Sequence, residues 1–271
     1  MSTAINKQVE IESLLKSFNL ISFINNYQQY ARLAEKEKLD YVSYLYQLAK
    51  VESEERHHRK TERLLKQSKL PPSKNLSEFD TNALANFPKT VLKELISGDC
   101  LDQAENVLIF GNPGTGKTHL AAGLGRQWCL SGRAVYFTSA SALVQDLLVA
   151  KRDLKLNNFL AKLDKFQAVI IDDISYIPQN REETDVLFVL LADRYEHKSI
   201  VITSNLPFSQ WDKIFKDTVT TGAAIDRLVH HSHILQLNGE SYRAKTAGNV
   251  CVPETTLLNQ NRIIVKLDDQ Q

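Results

Sequence analysis

One stretch of eight residues has the types and the spacing of a phosphate-binding loop, GxxxxGK[ST]. In order, the stretch reads Gly111, Asn112, Pro113, Gly114, Thr115, Gly116, Lys117 and Thr118. Glycines let the backbone bend so that consecutive amides point at phosphate oxygens, and a helix that follows adds the partial positive charge of its N-terminus. We therefore expect Lys117 to reach the β and γ phosphates of a nucleotide and Thr118 to bind Mg²⁺.

Acidic and amide side chains follow two apolar runs further along the chain. Asp172 and Asp173 come after the run 168–171, where a buried strand would project a carboxylate toward the phosphates. We predict that Asp172 binds the metal ion and that Asp173 orients or activates the attacking water; alternatively, Asp173 only caps the next turn. Asn205 directly follows the run 199–204 and is the candidate for positioning that water. Together these residues predict an ATP-hydrolysing site.

The positions of these residues require a parallel sheet. Short runs rich in β-branched residues alternate with longer helical stretches; the runs are 106–110, 134–138, 168–171, 199–203 and 233–237. Parallel strands need long crossover connections, which helices usually supply. A loop of this type is convincing only between a strand and a helix, and 107–110 and the stretch from Thr118 provide both. We predict an α/β domain with a five-stranded parallel sheet, and this context argues against a merely structural glycine turn.

The residues before this domain predict a small all-α domain. Residues 7–70 contain no glycine, and their apolar side chains recur at three- and four-residue intervals. Pro71 and Pro72 would end the last helix because proline lacks the amide proton. We therefore divide the chain into a helical domain at 1–70, a linker at 71–80, an ATPase domain at 81–243 and a tail at 244–271 whose role the pattern does not indicate. The basic stretch 56–74 is either a solvated helix face or a surface for nucleic acid or a partner.

Composition limits the class of protein. The chain has 271 residues, of which 43% are hydrophobic and 24% charged, and a net charge of +1, so any basic surface must be local. Three widely spaced cysteines argue against disulfides and a cysteine zinc site and favour a reducing cytoplasm. No apolar run approaches the length of a membrane span, so we expect neither a membrane nor secretion. The histidines at 57–58 and 230–233 are expected to lie on helix surfaces or to pack rather than bind metal.

Five motifs, taken in order and spacing, resemble those of one family. They are the phosphate loop at 111–118, the run 168–173, Thr203-Ser204-Asn205-Leu206, residues 224–228 and residues 239–243. This set resembles the AAA+ ATPases of the DnaC/IstB group, and within it the IstB-type helper ATPases of insertion-sequence transposition. The resemblance covers roughly residues 10–243. Asp173 stands where AAA+ enzymes more often have glutamate, although related members also carry paired aspartates.

The resemblance implies further site residues. Arg227 looks like the arginine finger that reaches the γ-phosphate held by a neighbouring subunit, and Arg243 looks like the sensor-2 arginine. His119 joins the nucleotide-binding residues, and Phe79 resembles the residue that passes the adenine, although it could equally be linker packing. Without the resemblance, an arginine on a helix is more often a surface ion pair.

The resemblance also implies partners: double-stranded DNA, a transposase and other copies of the chain. Lys151, Arg152 and Lys155 lie where this group carries its DNA-facing element, or else they form a solvated charged face. The leading hypothesis is an ATP-dependent DNA-clamping oligomer that recruits or stimulates a transposase. The alternative is a replicative helicase loader of the DnaC type, which differs in the partner of the N-terminal domain. A small-molecule kinase would need a substrate lid, and the set Asn205, Arg227 and Arg243 argues against it.

Overall fold

The N-terminal part of the chain is helical in the computed structural model, which describes residues 2–81, 87–176, 181–211, 218–239 and 241–242. It begins with three helices, α1 (Ser2–Ser17), α2 (Ile21–Glu37) and α3 (Tyr41–Gln67). Helix α3 starts where the Asp40 side chain accepts a hydrogen bond from the Ser43 amide at 2.8 Å, which satisfies one of the free amides of the first turn. It ends four residues before Pro71, in line with the predicted helix stop.

A five-stranded parallel sheet forms the centre of the second part, so the prediction of an α/β fold is confirmed. The strands are β1 (Asn106–Gly111), β2 (Val135–Ser139), β3 (Ala168–Asp172), β4 (Ser199–Ser204) and β5 (Ser232–Leu237). They lie in the order β2-β3-β4-β1-β5, and every neighbouring pair is parallel. Each predicted run agrees with its strand to within one residue at either end.

Helices cover both faces of the sheet. They are α4 (Lys89–Ser97), α5 (Asp99–Asp102), α6 (Lys117–Leu130), α7 (Ala140–Arg152), α8 (Leu156–Leu163), α9 (Arg181–Arg194) and α10 (Thr218–Val229). Because side chains alternate along a strand, Leu108 of β1 joins a core with α7 to α10, whereas Ile109 joins a second core with α4 and α6. The central strands β1, β3 and β4 are therefore buried on both sides, as their nearly continuous apolar sequences predict.

The end of α3 packs on this second core. Leu64 is buried among its side chains, the Ser68 carbonyl accepts a hydrogen bond from the Phe137 amide at 2.7 Å, and Lys69 Nζ donates to the Tyr136 hydroxyl at 3.0 Å. The last turns of α3 thus share the core of the sheet, although they precede the predicted boundary at residue 70. The division into domains stays a prediction.

Three further expectations concern single features. None of the helices in the described ranges is long and apolar enough to cross a membrane. Cys100 and Cys129 are free and buried, and burial raises the pKa of each thiol to about 11. Cys251, Arg243 and the tail 244–271 lie outside the described residues.

Candidate nucleotide-binding site

The phosphate-type loop joins the end of β1 to the start of α6. Gly114 and Gly116 adopt positive φ values of 85° and 96°, a conformation that side chains with a Cβ rarely take. A Cβ at Gly116 would also lie 2.9 Å from Cε2 of Phe79, so only glycine fits between the loop and this ring. The loop has the strand before it and the helix after it that the motif requires.

Lys117 turns its ammonium group back onto the loop. Its Nζ donates to the carbonyls of Gly111 at 2.8 Å and Asn112 at 2.9 Å, and the residue is only 7% exposed. The first turn of α6 adds its free amides beside this charge. A buried cation at a helix N-terminus fits the phosphates of a nucleotide.

Oxygen atoms suited to Mg²⁺ meet at the carboxyl edge of the sheet. Asp172 ends β3, and its Oδ2 accepts a hydrogen bond from Thr118 Oγ1 at 3.1 Å. Thr118 is the second residue of α6, so the metal-side carboxylate and the loop hydroxyl are adjacent although 54 residues separate them. Carboxylate and hydroxyl oxygens are the ligand types that Mg²⁺ prefers, and the predicted pair fits the ion.

Asp173 and Asn205 face each other beside this pair. Asn205 Nδ2 donates to Asp173 Oδ1 at 3.2 Å, which brings the candidate base and the candidate water-positioning amide together. The Asp173 backbone is left-handed, with φ 60°, and its amide donates to Thr203 Oγ1 at 2.8 Å. A 3₁₀ turn at Ile174–Tyr176 follows, so Asp173 does lie directly before a turn.

Sequence reasoning missed Thr203 as a site residue. Its hydroxyl donates to Asp172 Oδ1 at 2.7 Å, and the residue is 1% exposed. The available signal was a hydroxyl within an apolar buried strand, two residues before Asn205. It was not used because a threonine in a strand is usually explained by β propensity alone.

Two segments from elsewhere in the chain approach the loop. Phe79 packs against Gly116, and its ring centroid lies 5.7 Å from that of His119 and 6.0 Å from that of Phe87. His119 Nε2 hydrogen-bonds to the Asn75 carbonyl at 2.7 Å. On the C-terminal side, the Tyr242 amide donates to the Gly114 carbonyl at 3.0 Å. Arg243, the next residue, lies outside the described ranges.

The backbone at Arg227 lies near the amino end of β1, whereas the loop follows the carboxyl end of that strand. The Asn106 side chain, at the start of β1, donates to the carbonyl of Leu228 at 3.2 Å, whereas the loop begins at Gly111, where β1 ends. From Asn106 to Gly111 the strand advances by five residues, which is about 17 Å at the usual rise per residue of a strand. The Arg227 guanidinium lies over the Phe188 ring, 4.8 Å from its centroid, within its own chain. The chain's own loop and Arg227 are therefore not brought together.

The candidate DNA residues form a separate exposed group. Lys151 and Arg152 end α7 and Lys155 precedes α8; all three are exposed, and Lys155 lies 3.9 Å from the exposed Asp153 carboxylate. Helix α7 leads away from the carboxyl end of β2 for about 20 Å, so this group and the nucleotide loop are distinct.

Some of the remaining basic and histidine residues have local partners. In α3, Arg56 and Arg59 both bind the Glu52 carboxylate, so part of the basic stretch belongs to an ion-pair network. His233 pairs with Glu105 at 2.8 Å, and the described residues contain no group of three ligands that could hold a metal ion.

Known proteins that are similar to this chain in sequence have names that include ATP binding. The sequence model of the IstB-like ATP binding protein family matches residues 13–249. An inferred insertion sequence ATP-binding protein of Sinorhizobium fredii is 42% identical over 86% of this chain and 79% of its own length. The inferred ATP-binding protein of insertion sequence IS21 from Pseudomonas aeruginosa is 36% identical over 94% of this chain and 97% of its own length.

Solved structures resemble the chain in fold. AMPPCP-bound DnaA from Aquifex aeolicus superposes with a TM-score of 0.54, at 19% identity, over 66% of this chain and 54% of that protein. The DnaC helicase loader superposes with a TM-score of 0.50, at 16% identity, over 62% of this chain and 98% of that protein. At such low identity the likeness shows the fold alone, which is that of the AAA+ P-loop ATPases.

Proposed function

The chain belongs to the family of IstB-like ATP-binding proteins, and from this premise we propose that it hydrolyses ATP and uses ATP to assemble on double-stranded DNA as the helper of a transposase. One observation supports hydrolysis above all. The Thr118–Asp172 pair and the Asp173–Asn205 pair lie side by side at the end of the loop-bearing sheet. A metal site and a water site are thereby adjacent, as phosphoryl transfer to water requires.

Each residue of the site has a role in this proposal. The loop 111–118 holds the phosphates, Lys117 neutralises the β and γ phosphates, and His119 and Phe79 border the nucleotide. Thr118 and Asp172 hold Mg²⁺, which would neutralise phosphate charge when bound. Asp173 accepts the proton of the attacking water, and Asn205 orients both. Arg243, which lies outside the described residues, is proposed to contact the phosphates because its motif resembles the family's sensor-2 arginine.

The position of Arg227 supports an assembly. An arginine about one strand length from its own loop serves no nucleotide in its own chain, but it can serve the nucleotide of a neighbour. Arginine fingers supplied by a second molecule stabilise the charge that develops on the transferred phosphate. We therefore propose a homo-oligomer in which the α10 side of one subunit faces the loop of the next.

DNA contact is proposed for the exposed group Lys151, Arg152 and Lys155. Three cations at adjacent helix ends fit the phosphates of a duplex, and contacts of this kind tolerate any sequence and weaken with salt. The relatives' names tie the family to insertion sequences, which supports a transposase as the partner. The N-terminal helices 1–70 would then contact the transposase or other copies.

Sedimentation tests the proposal as a whole. We expect a non-hydrolysable ATP analogue to shift the wild-type protein to larger species on duplex DNA, and DNA affinity to rise with it. If nucleotide changed neither sedimentation nor DNA affinity, the proposal would be wrong. Pull-down with the transposase and, separately, with a replicative helicase distinguishes the transposition helper from a helicase loader.

Two lysine substitutions separate nucleotide binding from DNA binding. Lys117→Ala should lower ATP affinity by about 100-fold, because it removes a buried charge that pairs with phosphate. Lys155→Ala should leave ATP affinity unchanged and reduce the salt dependence of DNA binding by about one counterion. Lys93→Ala on α4, an exposed lysine on the face of the sheet opposite α7 and α8, is the control for both. Fluorescent nucleotide titration and DNA binding at several salt concentrations measure the two effects.

A further inference from the structure

Thr203 occupies a position that joins both aspartates of the site. The parallel register pairs Ile171 of β3 with Ile202 of β4, so Asp172 and Thr203 come next, side by side. The Thr203 hydroxyl donates to Asp172 Oδ1 at 2.7 Å and accepts from the Asp173 amide at 2.8 Å. The residue is 1% exposed, so water does not compete freely for these two hydrogen bonds.

The direction of both hydrogen bonds follows from the donors available. A hydroxyl has one proton and two lone pairs, whereas an amide can only donate. The Thr203 proton must therefore point at Asp172, and a lone pair must receive the Asp173 amide. Since Thr118 donates to the other oxygen of Asp172 at 3.1 Å, the carboxylate is held from two sides and its plane is fixed.

The same hydroxyl stabilises an unusual backbone conformation at Asp173. A non-glycine residue at φ 60° lies in a sparsely populated region, which costs free energy unless the surroundings compensate. The hydrogen bond from the Asp173 amide to Thr203 is one such compensation. With this φ the backbone leaves the direction of β3 at Asp173. The Asp173 carboxylate then accepts a hydrogen bond from Asn205 at 3.2 Å.

We propose that Thr203 is a positioning residue for ATP hydrolysis, which orients Asp172 toward Mg²⁺ and Asp173 toward the attacking water through one hydroxyl. The inference rests on the proposed function, because it concerns the same site. In this role Thr203 acts through the two aspartates rather than on the reacting atoms. Residues in this relation to a metal ligand typically change metal affinity or activity by about 10- to 100-fold when they are replaced.

The test compares Thr203→Val with Thr203→Ser in the full-length protein. Valine keeps the shape and removes the hydroxyl, whereas serine keeps the hydroxyl. Thr138→Val is the matched control, since Thr138 is a buried threonine on β2 whose hydroxyl donates to the Ser139 carbonyl at 3.2 Å. The binding of fluorescent ATP is measured in the presence of EDTA and again at increasing Mg²⁺ concentrations. Steady-state hydrolysis gives kcat and KM.

In Thr203→Val we expect ATP affinity in EDTA to be unchanged, the Mg²⁺ concentration for half-saturation to rise about tenfold, and kcat to fall at least about tenfold. Thr203→Ser and Thr138→Val should stay within about threefold of wild type on every measure, well inside that range. Should Thr203→Val not fold, Thr203→Ala removes the same oxygen and carries the same expectation.

Wild-type Mg²⁺ dependence and kcat in Thr203→Val would overturn the inference while leaving the proposed ATPase intact. Equal damage in Thr203→Ser or Thr138→Val would also overturn it, because the effect would then come from packing. A wild-type protein that binds no ATP would overturn the proposed function, and the inference with it.

Discussion

The sheet domain and the N-terminal helices each contain a deeply buried charged side chain, Arg194 and Glu52, and they hold these two side chains in opposite ways. Arg194 of α9 is 1% exposed and donates to backbone carbonyls of Leu163, Phe166 and Ser199 at 3.0 to 3.1 Å. Glu52 of α3 is 4% exposed, accepts hydrogen bonds from the Ser22 amide at 2.9 Å and from Arg56, and forms a second ion pair with Arg59 at 3.5 Å.

The difference lies in what fixes the partners. Carbonyls at the end of α8 and around β3 and β4 are held by the secondary structure, so Arg194 joins elements that are already rigid. The Arg56 and Arg59 side chains are half exposed and must lose rotamer freedom to reach Glu52. Large apolar residues such as Leu14, Tyr41 and Leu45 also stay exposed on these helices. We expect the sheet domain to be the more stable region and the N-terminal helices to open first.

Arg227 sharpens this comparison, because it belongs to the sheet domain but the fold does not give it carbonyl partners. Its Nη1 has no hydrogen-bond partner in the described part of the chain, and its guanidinium lies over Phe188. Arg227→Ala should therefore leave ATP affinity and thermal stability nearly unchanged and lower kcat by about 1000-fold, the usual value of an arginine finger. Steady-state hydrolysis against protein concentration measures it.

A mixing experiment identifies the side of the interface. Arg227→Ala subunits have intact loops and Lys117→Ala subunits have intact fingers, so a mixture should recover hydrolysis that neither variant shows alone. Phe188→Leu removes the ring under the Arg227 guanidinium but keeps the arginine, so its effect on kcat should be smaller than that of Arg227→Ala. If Arg227→Ala alone retained wild-type turnover, the finger would be a different residue.

Arg194 tests the stability of the sheet domain directly. Burial lowers its pKa to about 10, so the guanidinium remains charged at neutral pH. Arg194→Met removes this charge and leaves buried carbonyls without their donor, which should lower the free energy of unfolding by about 3 kcal/mol. Chemical denaturation followed by circular dichroism measures the change.

Arg152→Met is the control for Arg194→Met, since it makes the same substitution at an exposed residue of α7. An exposed change of this kind should alter stability by less than about 0.5 kcal/mol. An equally small effect at Arg194 would show that solvent replaces the lost donor and that the two regions do not differ as argued.

Sequence reasoning located the parts of the molecule whose signals are local. The loop 111–118 carries its own pattern, and the β-branched runs placed all five strands, so Asp172 and Asn205 could be assigned to strand ends. Parallel strands then bring those ends to one edge, which is why the predicted site residues Thr118, Asp172, Asp173 and Asn205 meet.

The residues that it missed depend on partners that no local pattern names. Thr203 matters because the register of β3 and β4 sets it beside Asp172. Arg194 matters because the end of α8, the residue Phe166 before β3 and the start of β4 bring their carbonyls around it. The Glu52–Arg56 ion pair could have been predicted from the sequence, because Arg56 follows Glu52 by one helical turn. The predicted basic stretch began at Arg56 and so left out its acid.

Glu52 tests the weaker region. Glu52→Gln keeps the shape but removes the charge that Arg56 and Arg59 share, which should destabilise the packing of α2 on α3 by about 1 kcal/mol. Hydrogen exchange should accelerate in α2 and the first half of α3, while the strands of the sheet and ATP affinity stay unchanged. Glu55→Gln is the matched control, because within the described ranges the ion pair of Glu55 is an exposed one with Arg59 at 4.0 Å.

The pH dependence of this packing distinguishes the charge of Glu52 from its shape. Desolvation acts to raise the pKa of Glu52, but hydrogen bonds from Arg56 and Ser22 outweigh it and leave the pKa below the ordinary 4.5. A lowered pKa in the folded state means that the contribution is complete above pH 4.5 and is lost as the pH falls through the folded value. The protection of α2 amides, expressed relative to the intrinsic exchange rate at each pH, should therefore fall in wild type below about pH 4.5, and Glu52→Gln should lack that acid step. An acid step that persisted in Glu52→Gln would assign it to another carboxylate, and the N-terminal helices would then not depend on this buried charge.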